Sequence, residues 1–308
     1  MCRALLYLGQ PVLLDHLLFQ PDSALVKQTF NPRKLHMLNL AGFGMMAWSG
    51  DGHRPEVPWH YAATELPVFD RNLKAMAEKV RAHCLLAHVR GVAYSTKAIV
   101  SRQNTHPFSF PGHRLVLAHN GDLHRFDEMK SSVFEHVSPA LRSQVQGTTD
   151  SEWIHALVLS QIEDPDAPLS AEAIKRAVEK ALRILRDVRR AHGISTSSSV
   201  NLFLTDGECL FAVRFCFDFG RYSLKGPEKV QESNLNYLSL WYTAGREFGY
   251  HEDEWKMIGG SDTADSLMVA SEPLTVDTTT WLEVPEYAML FADTRGARPV
   301  IDIAWLDV

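Results

Sequence analysis

Cysteine is scarce in this 308-residue sequence: four in all, at positions 2, 84, 209 and 216. So few and so scattered, they cannot form the disulfide framework of a small secreted scaffold. None stands in a C-x-x-C pair, and the fourteen histidines include no H-E-x-x-H, so neither zinc signature is present and no metal is expected. Positive charge is also in deficit, with 31 Lys and Arg against 37 Asp and Glu, a net charge of −6. A nucleic-acid partner would need a basic stripe to neutralise phosphates, so none is expected. No apolar run is long enough to span a bilayer, which argues against a membrane partner. The first twenty residues lack the basic flank and cleavage pattern of a secretory leader, and a cytoplasmic location follows as the expectation. There is no internal repeat, low-complexity tract, Pro/Ser-rich linker or phosphate-binding glycine loop. The chain is expected to be one domain over 2–308 with no cofactor.

What the sequence does contain is a sizeable core. Hydrophobic residues make up 45% and charged residues 22%, close to the globular average. Residues 4–8 are an apolar strand that Gly9 and Pro11 should stop, and "AGFGMMAWSG" (41–50) is a second strand. Asp70 should cap a helix over "RNLKAMAEKVRAH", with Leu73, Met76, Ala77 and Val80 on one face. "CLLAHV" (84–89) and "HRLVLAHNGDL" (113–123) are apolar strands that end in polar residues. Helices are expected over 151–162 and from about 170 to 191, the second with Ile174, Val178, Leu182 and Leu185 on its apolar face. "VNLFLTDG" and "ECLFAVRFCF" should pair through an Asp206–Gly207 hairpin turn, and three further strands close the chain. Residues 217–262, rich in aromatics and without a clean period, suggest an elaborated hairpin or a segment shaping a site. Strands, two central helices and strands again give an α+β fold.

Several polar residues sit where these strands meet loops. Arg90 ends "AHVRG" and offers a planar fork for a carboxylate, or an ordinary surface ion pair. Asn120 and Gly121 in "HNG" could supply two oxyanion donors, or simply a hairpin turn. Asp150 in "TTDSE" could receive an ammonium group, or act as a helix N-cap. Singly, each ordinary explanation suffices. Together with the Cys2 thiol, they are the parts needed to hold an α-amino acid and attack its side-chain carbonyl.

At these residues the chain resembles the class II glutamine amidotransferases, N-terminal nucleophile hydrolases that use a cysteine. The matching pieces are "MCR" at the start, "AHVRG" (87–91), "QNTHPF" (103–108), "AHNGDL" (118–123) and "TTDSE" (148–152), with weaker matches at "AGFG" (41–44) and "VASEPL" (269–274). The match is closest to a free-standing branch without an attached synthetase. That branch includes a γ-glutamyl hydrolase of bacterial ergothioneine synthesis and an amidotransferase-like subunit of a fungal glutathione-degrading complex. There are departures: Ala41 stands where many relatives have an aspartate, and three residues separate Arg90 from Tyr94-Ser95-Thr96.

The resemblance implies a four-layer αββα sandwich and removal of Met1, which frees the Cys2 α-amino group as a base. It implies Cys2 as nucleophile, Asn120 and Gly121 as oxyanion donors, Arg90 for the substrate α-carboxylate and Asp150 for its α-ammonium. The expected ligand is glutamine or another γ-glutamyl small molecule, with an acceptor-domain partner subunit if ammonia is passed on. Hydrolysis is the expected activity. The alternative is a catalytically silent subunit that binds and regulates a synthetase or peptidase. The histidines near the site (His88, His106, His119, His124) are expected to be structural, and Cys209 and Cys216 to be core residues.

Overall fold

A computed structural model describes residues 2–34, 38–51, 53–92, 99–164, 168–221, 239–260, 264–295 and 299–308. The first half of the chain builds β1 (Arg3–Leu13), α1 (Leu14–Leu18), β2 (Phe43–Trp48), β3 (Trp59–Ala63), α2 (Arg71–Ala77), β4 (Arg81–Val89) and β5 (Val116–Gly121). Four helices follow: α3 (Phe126–Glu135), α4 (Pro139–Arg142), α5 (Asp150–Leu159) and α6 (Ala171–Ala191). Then come β6 (Ser198–Thr205), β7 (Cys209–Arg214), β8 (Cys216–Phe217), β9 (Trp241–Gly245), β10 (Glu247–His251) and β11 (Glu254–Ile258). The chain closes with β12 (Ser266–Ala270), β13 (Leu282–Glu283), β14 (Ala288–Asp293) and β15 (Val300–Trp305).

Two antiparallel sheets carry the fold. One has the order β13-β9-β12-β1-β4-β2-β3 and the other β15-β14-β7-β6-β5 (with β8 pairing β6 alone), while β10 and β11 form a separate hairpin. Side-chain alternation explains why the sheets stack. Ala4, Leu6 and Leu8 of β1, Leu86 of β4, Val116 and Ala118 of β5 and Phe203 of β6 all enter one shared apolar layer. The opposite face of β5 and β6, with Leu117, Val200, Leu202 and Leu204, packs under α3, α5 and α6. Leu5 and Tyr7 on the other side of β1 pack with α1 and α2 residues Leu14, Leu17, Leu73 and Ala77. The result is helix, sheet, sheet, helix: the four-layer αββα sandwich.

The strongest periodicities are realised. Ile174, Val178, Leu182 and Leu185 of α6 are all buried, and Ser170 caps the helix by accepting from Ala173 N at 3.1 Å. Asp70 caps α2 as expected, accepting from Leu73 N at 2.9 Å. Asp206–Gly207 turns β6 into β7, with Gly207 at φ 94.

Four expectations are corrected. β1 does not stop at Gly9 and Pro11 but runs to Leu13, because a register shift between Leu8 and Val12 absorbs the interruption. α2 ends at Ala77, since residues from Arg81 onward join β4 and pair with Leu13 and Val12. The "ECLFAVRFCF" stretch is two strands, and helices α3 and α4 precede the two expected ones. Within 217–262 the described residues include β9, a true member of the large sheet, and the β10–β11 hairpin. There Trp255 packs on His16 at 5.1 Å and Phe248 at 5.9 Å, while Tyr250 is 58% exposed. Met1 and Tyr94–Thr96 lie outside the described residues.

Candidate functional site

Cys2 stands at the open end of β1, inside the seven-stranded sheet rather than at its edge. The β1–β4 register pairs Arg3 with Val89, so the next residues along, Cys2 and Arg90, are neighbours. Gly91 brackets the sulfur: its N–H donates to Cys2 Sγ at 3.4 Å, and the thiol donates to its carbonyl at 3.5 Å. By alternation Cys2 shares a face with Ala4 and Leu6, the face turned toward the second sheet.

Arg90 is not a surface residue. It is 6% exposed, and its Nη1 donates to the Ile99 carbonyl at 2.9 Å. Burial pulls the guanidinium pKa down, while the nearby Cys2 and Asp150 pull it back up. These three groups therefore share one electrostatic neighbourhood.

Asn120 lies on β5 on the same face as Val116 and Ala118, looking across the inter-sheet layer, and is buried. Its Nδ2 donates to Ser271 Oγ. Asn120-Gly121 is no hairpin turn, because both residues remain in the β5–β6 ladder opposite Asn201 and Val200. Only glycine fits at 121: a Cβ there would stand 2.0 Å from both Ser199 O and His119 Nε2. Asp150 is not the N-cap either. Thr149 caps α5 by accepting from Glu152 N, which leaves Asp150 one residue into the helix. Its Oδ2 accepts from Leu123 N at 2.8 Å, tying the helix start to the chain just beyond Gly121.

The "QNTHPF" stretch braces these parts. Asn104 Nδ2 donates to both Ile99 O and Thr148 Oγ1 at 3.0 Å, and its Oδ1 accepts from Thr148 N at 2.8 Å. One carboxamide thus links the acceptor of Arg90 to the loop leading into Asp150. Gly44 admits this stretch, since a Cβ there would sit 2.2 Å from His106 O.

Beneath the site lie neutral imidazoles. Burial, reinforced by Arg90, holds His88 at about 3, and His106, its ring centroid 4.1 Å away, is also pushed well down by burial. His119 is lowered by burial too; its Nε2 pairs with Ser199 O at 3.3 Å and its Nδ1 with Ser151 Oγ at 2.9 Å. His124 stands apart from this group, with its backbone N–H donating to Ser198 Oγ. No cluster of three His, Cys, Asp or Glu able to hold a metal occurs among the described residues. Cys209 and Cys216 are buried.

The structure thus brings all five expected residues to one end of the sandwich. Chemically, it sets a thiol beside a guanidinium that also feels a carboxylate, with a carboxamide donor opposite. A profile of "Glutamine amidotransferases class-II" matches residues 38–217. The chain belongs to the class II glutamine amidotransferases. Other amidotransferases agree with this placement. The chain is 29% identical over 322 aligned residues to a protein described as probable glutamine amidotransferase DUG3 from Saccharomyces cerevisiae, covering 98% of this chain and 85% of that one. A γ-glutamyl-hercynylcysteine sulfoxide hydrolase of Mycobacterium tuberculosis is 36% identical over 128 residues, 41% of this chain and 51% of its own. In fold, the amidotransferase is similar to a glutamine aminotransferase class-II domain protein from Silicibacter pomeroyi, with TM-score 0.61 at 20% identity over 99% of this chain and 100% of that one. It is also similar to half of the B. subtilis glutamine phosphoribosylpyrophosphate amidotransferase, with TM-score 0.55 at 16% identity. These likenesses establish the N-terminal nucleophile hydrolase fold. No helix among the described residues is long and apolar enough to cross a membrane.

Sequence reasoning missed three supporting residues. Arg3, 2% exposed, donates to the Cys2 carbonyl at 3.0 Å and pairs with buried Glu272 at 3.3 Å. Glu272 also accepts from the N–H groups of Arg33 and Lys34, both at 2.9 Å. Ser271 accepts from Ala4 N at 3.0 Å. The "VASEPL" match was the signal that marked Ser271 and Glu272.

Proposed function

We propose that this amidotransferase hydrolyses the γ-glutamyl amide bond of glutamine or a γ-glutamyl compound, with Cys2 as nucleophile. The observation that carries the reading is the Cys2 thiol held against Gly91 beside Arg90, which also feels Asp150, on the face turned toward Asn120. Removal of Met1 frees the Cys2 α-amino group. A free α-amine titrates near ~8 and a thiol near ~8.5, so the neutral amine can take the thiol proton directly or through one water. The thiolate then attacks the δ-carbonyl. The Asn120 amide and the Gly121 N–H stabilise the oxyanion, an interaction worth several kcal/mol when pre-aimed. The leaving nitrogen departs with a proton, and water hydrolyses the Cys2 thioester to release glutamate.

Arg90 binds the substrate α-carboxylate and Asp150 its α-ammonium. The Mycobacterium relative, whose name specifies a γ-glutamyl substrate, supports hydrolysis as the activity. An acceptor site for ammonia, if one is used, comes from a partner subunit.

The test is glutamate release from glutamine and γ-glutamyl peptides by purified protein whose Met1 removal is checked by intact mass. Cys2→Ala should abolish release while keeping the melting temperature. Full activity in that variant sinks the nucleophile assignment, and no release from any γ-glutamyl substrate by processed protein favours a binding subunit. Arg90→Lys keeps the charge but loses the planar fork. It should raise KM for glutamine about tenfold or more, measured by steady-state kinetics.

A further inference from the structure

The proposed mechanism asks the Asn120 carboxamide to point a donor at one place, yet nothing in the side chain itself fixes that direction. Rotation about χ2 of asparagine is broad and roughly two-fold, so the plane of the carboxamide must be set by its partners. Among the described residues, the hydrogen bond of Asn120 Nδ2 runs to Ser271 Oγ, with the His88 ring on the other side of the carboxamide. Asn120 Oδ1 is buried and makes no hydrogen bond of good geometry, although the His88 imidazole faces the carboxamide closely enough to interact with it. The same Ser271 oxygen accepts from Ala4 N at 3.0 Å, two residues from Cys2 on the same face of β1. Ser271 is itself held in register: its N–H donates to Ala4 O, and its carbonyl accepts from Ser239 Oγ, both at 3.0 Å. It is 4% exposed, so water does not compete for these bonds.

We infer that Ser271 is the positioning residue of the oxyanion donor. One hydroxyl oxygen binds the strand of the nucleophile on one side and the Asn120 carboxamide on the other, fixing the distance between thiol and donor across two sheets. A hydroxyl has two acceptor lone pairs, enough for both N–H groups. One Nδ2 hydrogen stays on Ser271, and the second remains for the oxyanion. The residue does not touch the reacting atoms; it acts through Asn120. This inference rests on the proposed function and gives a role to the "VASEPL" stretch, which that function alone leaves unused.

The test compares Ser271→Ala with Ser271→Thr, which keeps the hydroxyl. On a γ-glutamyl amide that the wild type hydrolyses, Ser271→Ala should lower kcat about 10²-fold, the scale of a misplaced catalytic group, with KM changed less than about threefold. Ser271→Thr should recover most of the loss. Alkylation of Cys2 by iodoacetamide passes through no oxyanion, so its rate should be unchanged in both variants. Adding Asn120→Ala to Ser271→Ala should cost little more than Asn120→Ala alone. A kcat within threefold of wild type in Ser271→Ala, an equal fall in alkylation, or full additivity with Asn120→Ala overturns the inference. If Ser271→Ala does not fold, Ser271→Cys, a weak donor and acceptor of similar size, takes its place. A readout independent of turnover separates this inference from the proposed function. The Asn120 side-chain amide signals in 15N-labelled protein, assigned with Asn120→Ala, should shift and exchange faster in Ser271→Ala. Unchanged signals overturn the positioning role even where the wild type proves to hydrolyse nothing.

Discussion

Acidification from pH 7 to pH 4.5 should remove several kcal/mol of stability, and the buried imidazoles set the size of the loss. Burial holds His88 and His155 at about 3 in the folded protein, against roughly 6.5 for a histidine in an unfolded chain. Because the folded value is depressed, the unfolded state takes up protons first as pH falls. The stability is intact above about 6.5 and is lost progressively below it, down to the folded value. At pH 4.5, two units below the unfolded value, each residue costs about 3 kcal/mol, roughly 6 kcal/mol for the pair. Asp122 works the other way. Burial, with Asp150 beside it, raises its carboxyl to about 6, so the folded state gains about 2 kcal/mol by protonating over the same interval. His106 and His119, also lowered by burial, add to the loss. The net of about 4 kcal/mol or more approaches the low end of the ~5–15 kcal/mol typical of a folded domain. Urea melts followed by far-UV circular dichroism at the two pH values measure it directly. His155→Gln keeps a donor for the Leu115 carbonyl, which His155 Nε2 reaches at 3.1 Å. It should flatten the pH dependence by about one proton, or about 1.4 kcal/mol per pH unit. Equal unfolding free energies at both pH values, or an unchanged slope in His155→Gln, would refute the reasoning.

Two further outcomes are expected. Glu272→Ala removes the charge partner of the buried Arg3 guanidinium and should cost about 3–5 kcal/mol in a urea melt, with Glu272→Gln costing less because it keeps one acceptor. Gly121→Ala sets a Cβ against the backbone oxygen of Ser199, which cannot move without opening the end of the β5–β6 ladder; a thermal melt should show a loss of about 1–3 kcal/mol, together with reduced glutamate release.

The candidate site was legible because its residues are chemically conspicuous at the ends of apolar strands. Arg90, Asn120-Gly121 and Asp150 each had an ordinary explanation, and the structure removes all three: Arg90 is buried, Asn120-Gly121 stays in a strand, and Thr149 is the cap. The braces were harder to see. Asn104, Ser271, Arg3 and Glu272 act through contacts with residues remote in sequence, as when Ser271 meets Ala4, and no local pattern encodes such a meeting. The fold errors have a similar cause. Local punctuation at Gly9 and Pro11 was overruled by β4, which pairs with Val12 and Leu13 beyond the register shift, and α2 was cut short by the claim of β4 on residues from Arg81. Helix α3 was missed because Arg125 at its N-cap makes no side-chain capping bond, so the usual start signal is absent.

The position of β1 between β4 and β12 also sets a timetable for synthesis. Leu5 pairs with Ala87 on one side and with Ala270 on the other. The first partner leaves the ribosome early. The second follows Leu5 by some 265 residues, which at ~5–20 residues per second is roughly 13–53 s. During that interval one edge of β1 has no strand to pair with, and Ser271 has not yet been made. The Cys2 thiol therefore leaves the ribosome well before the strands around it are complete, and β1 reaches its final pairing only after β12 arrives.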